Sequence, residues 1–92
     1  MTPDTVPILP RGVRKHFDTV RNVRVLLGPE RVLMLDQVGD AVLTEVDGES
    51  SVTVISARLA ARYNAPKSEI EADVTAYLLD LSHKGLLELR DD

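Results

Sequence analysis

The sequence predicts an α+β domain of winged-helix-like plan: a three-stranded antiparallel β-meander followed by a three-helix bundle. Three observations carry that expectation. The first third of the chain holds short β-branched and aliphatic runs separated by tight-turn residues. From Asp36 onward, apolar residues recur at helical spacing. The whole chain is 92 residues, near the size at which a single core can stand alone.

Residues 1–10 read as a flexible N-terminal arm, disordered or extended, because Pro3, Pro7 and Pro10 prevent helix. The single folded domain is expected over 11–92. Arg11-Gly12-Val13-Arg14-Lys15 is a small basic turn or strand start. Its charges read first as a solvated segment, with a patch for phosphate or an acidic partner as the other reading. Strands are expected at His16–Val20, Val23–Leu27 and Arg31–Leu35, with Arg21-Asn22 and Gly28-Pro29-Glu30 as the hairpin connections. In the second strand Val23, Val25 and Leu27 share one face and Arg24 lies opposite, the alternation of a half-buried antiparallel sheet.

Asp36–Gly48 is ambiguous between helix and hairpin. Asp36 as N-cap, an apolar face of Val38, Ala41, Val42 and Val46, and Gly48 as terminator suit a helix. Asp47-Gly48 also suits a two-residue hairpin turn, but Val52, Ile55, Leu59 and Tyr63 recur at helical spacing after Ser50-Ser51. That leaves the first run without a strand partner, so both segments are taken as helices. Asn64-Ala65-Pro66 breaks the second helix. Ser68 and Glu71 form an S-x-x-E capping box for the third, with Ile70, Val74, Leu78 and Leu81 as its stripe and Lys84-Gly85 as its end. Leu86–Leu89 adds a brief strand or packs back on the core.

Composition excludes several function classes. The only aromatics are Phe17, Tyr63 and Tyr77, so the core is aliphatic. A net charge of −4 disfavours nucleic acid, whose phosphates require concentrated Lys and Arg. The absence of cysteine removes disulfides, thiolate zinc sites, iron–sulfur clusters and cysteine nucleophiles. The start lacks a basic-then-apolar signal pattern and no run approaches membrane-spanning length, so a cytoplasmic protein without membrane contact is expected. His16 and His83 lie far apart in the chain and read as a strand-surface residue and a helix-dipole complement. Glu69, Glu71, Asp73 and Asp80 read as a solvated helix face. The five glycines are dispersed and make no phosphate-cradling loop. The expectation is therefore no enzyme, no metal and no cofactor. A winged-helix DNA-binding or regulatory domain is the alternative, but its recognition helix would open with three carboxylates that repel phosphate.

The remaining class is peptide or protein binding. In Arg31–Leu35, Val32 and Met34 point one way and Leu33 and Leu35 the other, so the strand is apolar on both faces. It comes late in a short meander, where an edge lies open, and an open apolar edge is either an aggregation hazard or a docking site. Asp73, Tyr77 and Lys84 share a face of the third helix beside its core stripe. If that face borders the strand, the two form a groove in which a peptide adds a strand and Val32 or Met34 with Tyr77 supply pockets. The competing reading places Tyr77 in the core and covers the edge with the N-terminal arm. Leu33→Pro is expected to remove a ladder donor and with it the added strand, with weakening of the sheet as the other consequence. Without peptide, the exposed edge predicts a homodimer.

The segments RGVRKHFDTVRNVRVLLGPERVLMLD, DGESSVTVISARLAARY and EIEADVTAYLLDLSHKGLL together resemble the pyrroloquinoline quinone (PQQ) biosynthesis protein D family, PqqD. The resemblance runs from Pro7 to Leu87, with the RGVR, LLxPERVLxLD and DG-then-helix elements in order. Arg24 stands where relatives often carry Trp, and Gly28 where Ala is usual. The Arg24 replacement questions any aromatic contact from the exposed face of the second strand. The resemblance implies a non-catalytic peptide chaperone, a recognition element for a ribosomally made, modified peptide (RiPP). It would grip the precursor PqqA as an added strand and present it to the radical S-adenosylmethionine (SAM) enzyme PqqE. Carried over by position, peptide-binding residues would be Arg31, Val32, Leu33, Met34 and Leu35 on the strand, and Asp73, Tyr77 and Lys84 on the helix.

Overall fold

The computed structural model describes residues 1–91. Its elements run β1 (Val6–Ile8), β2 (Arg14–Asp18), β3 (Val23–Leu27), β4 (Val32–Met34), α1 (Gln37–Thr44), α2 (Val52–Tyr63), α3 (Lys67–His83) and β5 (Glu88–Arg90). Strands β2, β3 and β4 form one antiparallel sheet in that order, and β1 pairs antiparallel with β5 in a second. The chain is thus α+β with antiparallel sheets and three helices.

The expected plan of one meander followed by three helices is incomplete. The residues read as a disordered or extended arm take the extended form and pair with the strand after α3, Val6 opposite Arg90 and Ile8 opposite Glu88. Thr5, Val6 and Pro7 are buried there. The Pro3 and Thr5 carbonyls accept from the Thr53 and Val52 amides, 3.0 and 2.9 Å. These are first-turn N–H groups that α2 cannot satisfy internally.

Local chemistry explains the other boundaries. Strand β2 ends at Asp18 because its carboxylate accepts from the Val20 and Arg21 amides, 3.0 and 3.1 Å, and turns the chain before Val20. Asn22 completes that turn at φ 58°, a left-handed conformation Asn tolerates. Asp36 caps α1 as expected, accepting from the Gly39 amide at 2.7 Å. The helix stops at Thr44, short of Gly48. Asp47 instead takes the Glu49 and Ser50 amides (2.9 and 2.7 Å) and the Ser50 hydroxyl (2.9 Å), forming a separate turn. Those bonds hold the Asp47 carboxyl down to about 2, the backbone amide of Ser50 contributing most.

The S-x-x-E capping box does not form. Helix α3 begins at Lys67, ahead of Ser68, with Pro66 as an N-cap that makes no side-chain bond. Its C-terminus closes as expected: Lys84 caps, Gly85 turns left-handed at φ 76°, and the Leu86 amide returns to the Leu81 carbonyl at 3.0 Å.

The core joins Leu26 of the sheet to Ala41, Val42 and Leu43 of α1, Val52, Ile55 and Leu59 of α2, and Val74, Leu78 and Leu81 of α3. Leu86 and Leu87 close it from below α3. The predicted helix stripes therefore face inward, except at Val38 and Tyr63, which stay exposed.

Candidate functional site

The two apolar faces of β4 divide unequally. Leu33 and Leu35 pack against the core, while Val32 and Met34 remain 59% and 61% exposed. Strand β4 pairs with β3 alone among the described residues, so its second edge is open. The N-terminal arm does not cover it, because that arm is occupied with β5.

The phase of the ladder decides which backbone groups that edge offers. Register pairs Leu26 with Leu33, Val25 with Met34 and Leu27 with Val32. The Leu35 amide donates to the Arg24 carbonyl at 2.9 Å, and the Gly28 amide donates to the Arg31 carbonyl at 2.8 Å. Hydrogen-bonded positions alternate along an antiparallel pair. Arg31, Leu33 and Leu35 therefore direct their N–H and C=O toward β3. The corresponding groups of Val32 and Met34 point to the open edge. Leu33→Pro would consequently break the sheet's own ladder, and the donors available to an added strand belong to Val32 and Met34.

Residues on both sides of β4 approach α3 or its C-cap. Arg31 and Lys84 line one cleft of about 280 Å³ together with Glu30 and Leu86. Farther along, the Tyr77 ring lies over Gly39 in the first turn of α1, so that a Cβ at Gly39 would come within 3.0 Å of its Cζ. Asp73 lines a separate cavity with Gln37 and Val38. Residues on either side of β4 thus meet α3 or its C-cap: Arg31 beside Lys84 before the strand, Gln37 and Val38 with Asp73, and Gly39 with Tyr77, after it. Between these points Leu33 and Leu35 lie on the side of the core. Of the residues singled out from the sequence, Arg31 and Lys84 share a cleft, Tyr77 lies against Gly39, and Asp73 lines a different cavity. Val32, Leu33, Met34 and Leu35 follow Arg31 along the chain. Tyr77 is half-buried and packs against the core, as Leu33 and Leu35 do.

Electrostatics differ along the groove. Lys84 is held by Asp80 at 2.8 Å, whereas Arg31 makes no ion pair among the described residues. Burial of the Tyr77 phenol, reinforced by the Asp36 and Asp80 carboxylates, raises its pKa, so it stays a neutral hydroxyl across the physiological range.

Arg24 stays exposed, but it stands on the face of the sheet that meets α1. It shares that side with Leu26, forms an ion pair with Asp40 of α1 at 3.1 Å, and sits 5.6 Å from the Phe17 ring centroid. Lys15 reaches the same Asp40 at 2.9 Å and the Thr44 hydroxyl at 2.7 Å. Asp40 therefore ties α1 to two strands and fixes the corner where β4 meets the helix. The sequence pattern did not single it out, because a carboxylate in a first turn is ordinary.

Sequence reasoning also missed the groove's continuation. Gln37, Val38, Ala41, Leu59, Tyr63 and Ile70 surround a cavity of about 350 Å³ between α1, α2 and α3, almost wholly apolar in lining. The signal was present, in that Val38 and Tyr63 occupy stripe positions at the helix ends nearest this opening. Among the described residues no cluster of His, Asp and Glu could hold a metal ion, and no helix is long and apolar enough to cross a membrane.

Comparison with known proteins gives consistent matches. The family model described as coenzyme PQQ synthesis protein D (PqqD) matches residues 24–87. The PqqA binding protein of Bradyrhizobium diazoefficiens is 47% identical over 81 residues, covering 88% of this chain and 79% of that protein. The bifunctional coenzyme PQQ synthesis protein C/D of Methylorubrum extorquens is 49% identical over 83 residues, but the chain spans only 22% of that longer protein. Among solved structures, the PqqD truncation of Methylobacterium extorquens PqqCD, described as a functional, stand-alone RiPP recognition element, superposes with a TM-score of 0.78. It is 49% identical, with 90% of this chain and 88% of that one covered. The crystal structure of PqqD from Xanthomonas campestris is 41% identical with a TM-score of 0.61, covering 96% and 98%. None of these matches supports the nucleic-acid reading.

Proposed function

Because this chain belongs to the PqqD family of coenzyme PQQ synthesis proteins, we propose that it is a non-catalytic peptide chaperone of the cytoplasm that binds the precursor PqqA. The peptide adds as a strand to the open edge of β4, accepting from and donating to the backbone of Val32 and Met34. Its side chains on one face rest against Asp73, Tyr77 and Lys84 of α3. The relatives' description as PqqA binding proteins supports the choice of peptide. The observation that supports this mode of binding is the unpaired edge of β4, flanked by Arg31 beside Lys84 and by Gly39 beside Tyr77.

The chemistry asked of this chain is positional. A free precursor searches many conformations, and fixing a segment as a strand removes that entropy before any reaction. A radical SAM enzyme, PqqE, then meets a held substrate at high local concentration. Main-chain hydrogen bonds supply affinity, and alternate side chains in the groove supply selectivity. Without peptide, two copies pair through the same edge across a two-fold axis, which satisfies the Val32 and Met34 backbone in the same way.

Calorimetric titration of the chain with PqqA tests the reading. Saturable heat is expected, with amide shifts concentrated in residues 31–35 and along α3. Absence of both heat and shifts at micromolar chain and peptide concentrations would remove it.

A further inference from the structure

The cavity between α1, α2 and α3 is not accounted for by strand addition. Its floor is made by core residues Ala41, Val42, Leu59 and Val74, and its rim by Val38, 62% exposed, and Tyr63, 48% exposed. Apolar side chains this exposed at the mouth of an apolar concavity are left solvated at a cost, which burial of a matching group would recover. About 350 Å³ is room for a large apolar side chain.

Its position identifies the occupant. Gln37 and Asp73 line the cavity: Gln37 follows the Asp36 cap directly, shortly after β4 ends at Met34, and Asp73 is about one turn of α3 before Tyr77. A strand advances roughly 3.3 Å per residue. A peptide paired with Val32–Met34 and continuing past Met34 toward Gln37 needs only a few more residues to reach the cavity.

We propose that this cavity is an anchor pocket for an apolar side chain of the strand-added peptide, placed a few residues beyond the segment that pairs with β4. The inference rests on the peptide-binding reading above and deepens it. Backbone pairing alone permits the added strand to slip in steps of two residues, since every alternate register makes the same bonds. A side chain seated among Val38, Leu59, Tyr63 and Ile70 admits a single register. It also links chain direction to sequence. In antiparallel addition the anchor lies N-terminal to the paired segment, and in parallel addition it lies C-terminal.

The test uses the full chain, PqqA as probe, and two variants at exposed rim positions. Val38→Glu puts an acid in the first turn of α1 and Tyr63→Lys a cation in the last turn of α2, so each suits its helix end. Each is expected to weaken binding roughly tenfold or more, the worth of one buried aliphatic side chain, while the β4 amides still shift at saturation. In an alanine scan of the peptide, one apolar position should lose affinity for the natural chain and lose little further for Val38→Glu. Unchanged affinity in both variants, with β4 amides shifting and those of Val38, Tyr63 and Ile70 still, overturns the pocket and leaves strand addition standing. Absence of peptide binding by the natural chain overturns the peptide reading and the pocket with it.

Discussion

Gly39 shows how one missing side chain shapes the groove. A Cβ there would meet the Tyr77 hydroxyl and ring and come 3.2 Å from the Asp36 carboxylate that caps α1. Gly→Ala in a helix ordinarily gains about 1 kcal/mol, but overpacking costs about 1–3 kcal/mol. Gly39→Ala is therefore expected to be neutral to destabilising, by up to about 2 kcal/mol in denaturant unfolding, and to push Tyr77 into the groove and weaken peptide binding. Adding Tyr77→Ala should restore the helix gain, a coupling that a double-mutant cycle reads directly. Asp47 acts at the opposite end of α1. Its carboxyl is held at about 2 against 3.8 in a free chain, so the unfolded state takes up its proton first as pH falls. The stabilisation is complete above about pH 4 and is lost as pH falls from there toward about 2. In Asp47→Asn, acid unfolding followed by circular dichroism should show a shallower slope across that window.

At the scale of elements, β4 carries the account. Val32→Pro removes an N–H that faces the open edge and should leave the fold largely intact while weakening peptide binding at least tenfold. Leu33→Pro removes an N–H that serves β3 and should cost about 3 kcal/mol or more of stability, read by urea unfolding. The side-chain alternation of Arg31–Leu35 foretold an apolar strand with two faces, and Leu33 and Leu35 take the inward one. The alternation carried no information on hydrogen-bond phase, because the pleat repeats every two residues whichever edge is paired. Helix termini show a similar limit. Asp36 and Lys84-Gly85 were readable because each cap uses a specific side chain or conformation. Ser68 misled because Pro66 had already set the backbone for a helix start at Lys67.

For the molecule as a whole, the ends of the chain close the fold. The β1–β5 pair joins residues eighty or more positions apart, and strands as short as Val6-Pro7-Ile8 have no periodicity to read. Their contact is set by the core that precedes it, so the sequence pattern left the first ten residues as an arm. Deleting residues 1–8 removes buried Val6 and Pro7 and the carbonyls that cap α2. The expected loss is about 3 kcal/mol or more, measured by thermal unfolding, with peptide affinity unchanged at temperatures where the variant stays folded. The groove itself was legible only in part. Residues on β4 and α3 could be placed by periodicity and resemblance, whereas the α1–α2–α3 cavity needs the three-dimensional meeting of Val38, Tyr63 and Ile70.

Amide hydrogen exchange with and without PqqA tests strand addition most directly, because it reads the ladder and not merely proximity. On binding, the Val32 and Met34 amides should become strongly protected, while Leu33, already bonded to β3, changes little. Saturating peptide that leaves Val32 and Met34 exchanging as in the free chain would contradict the account.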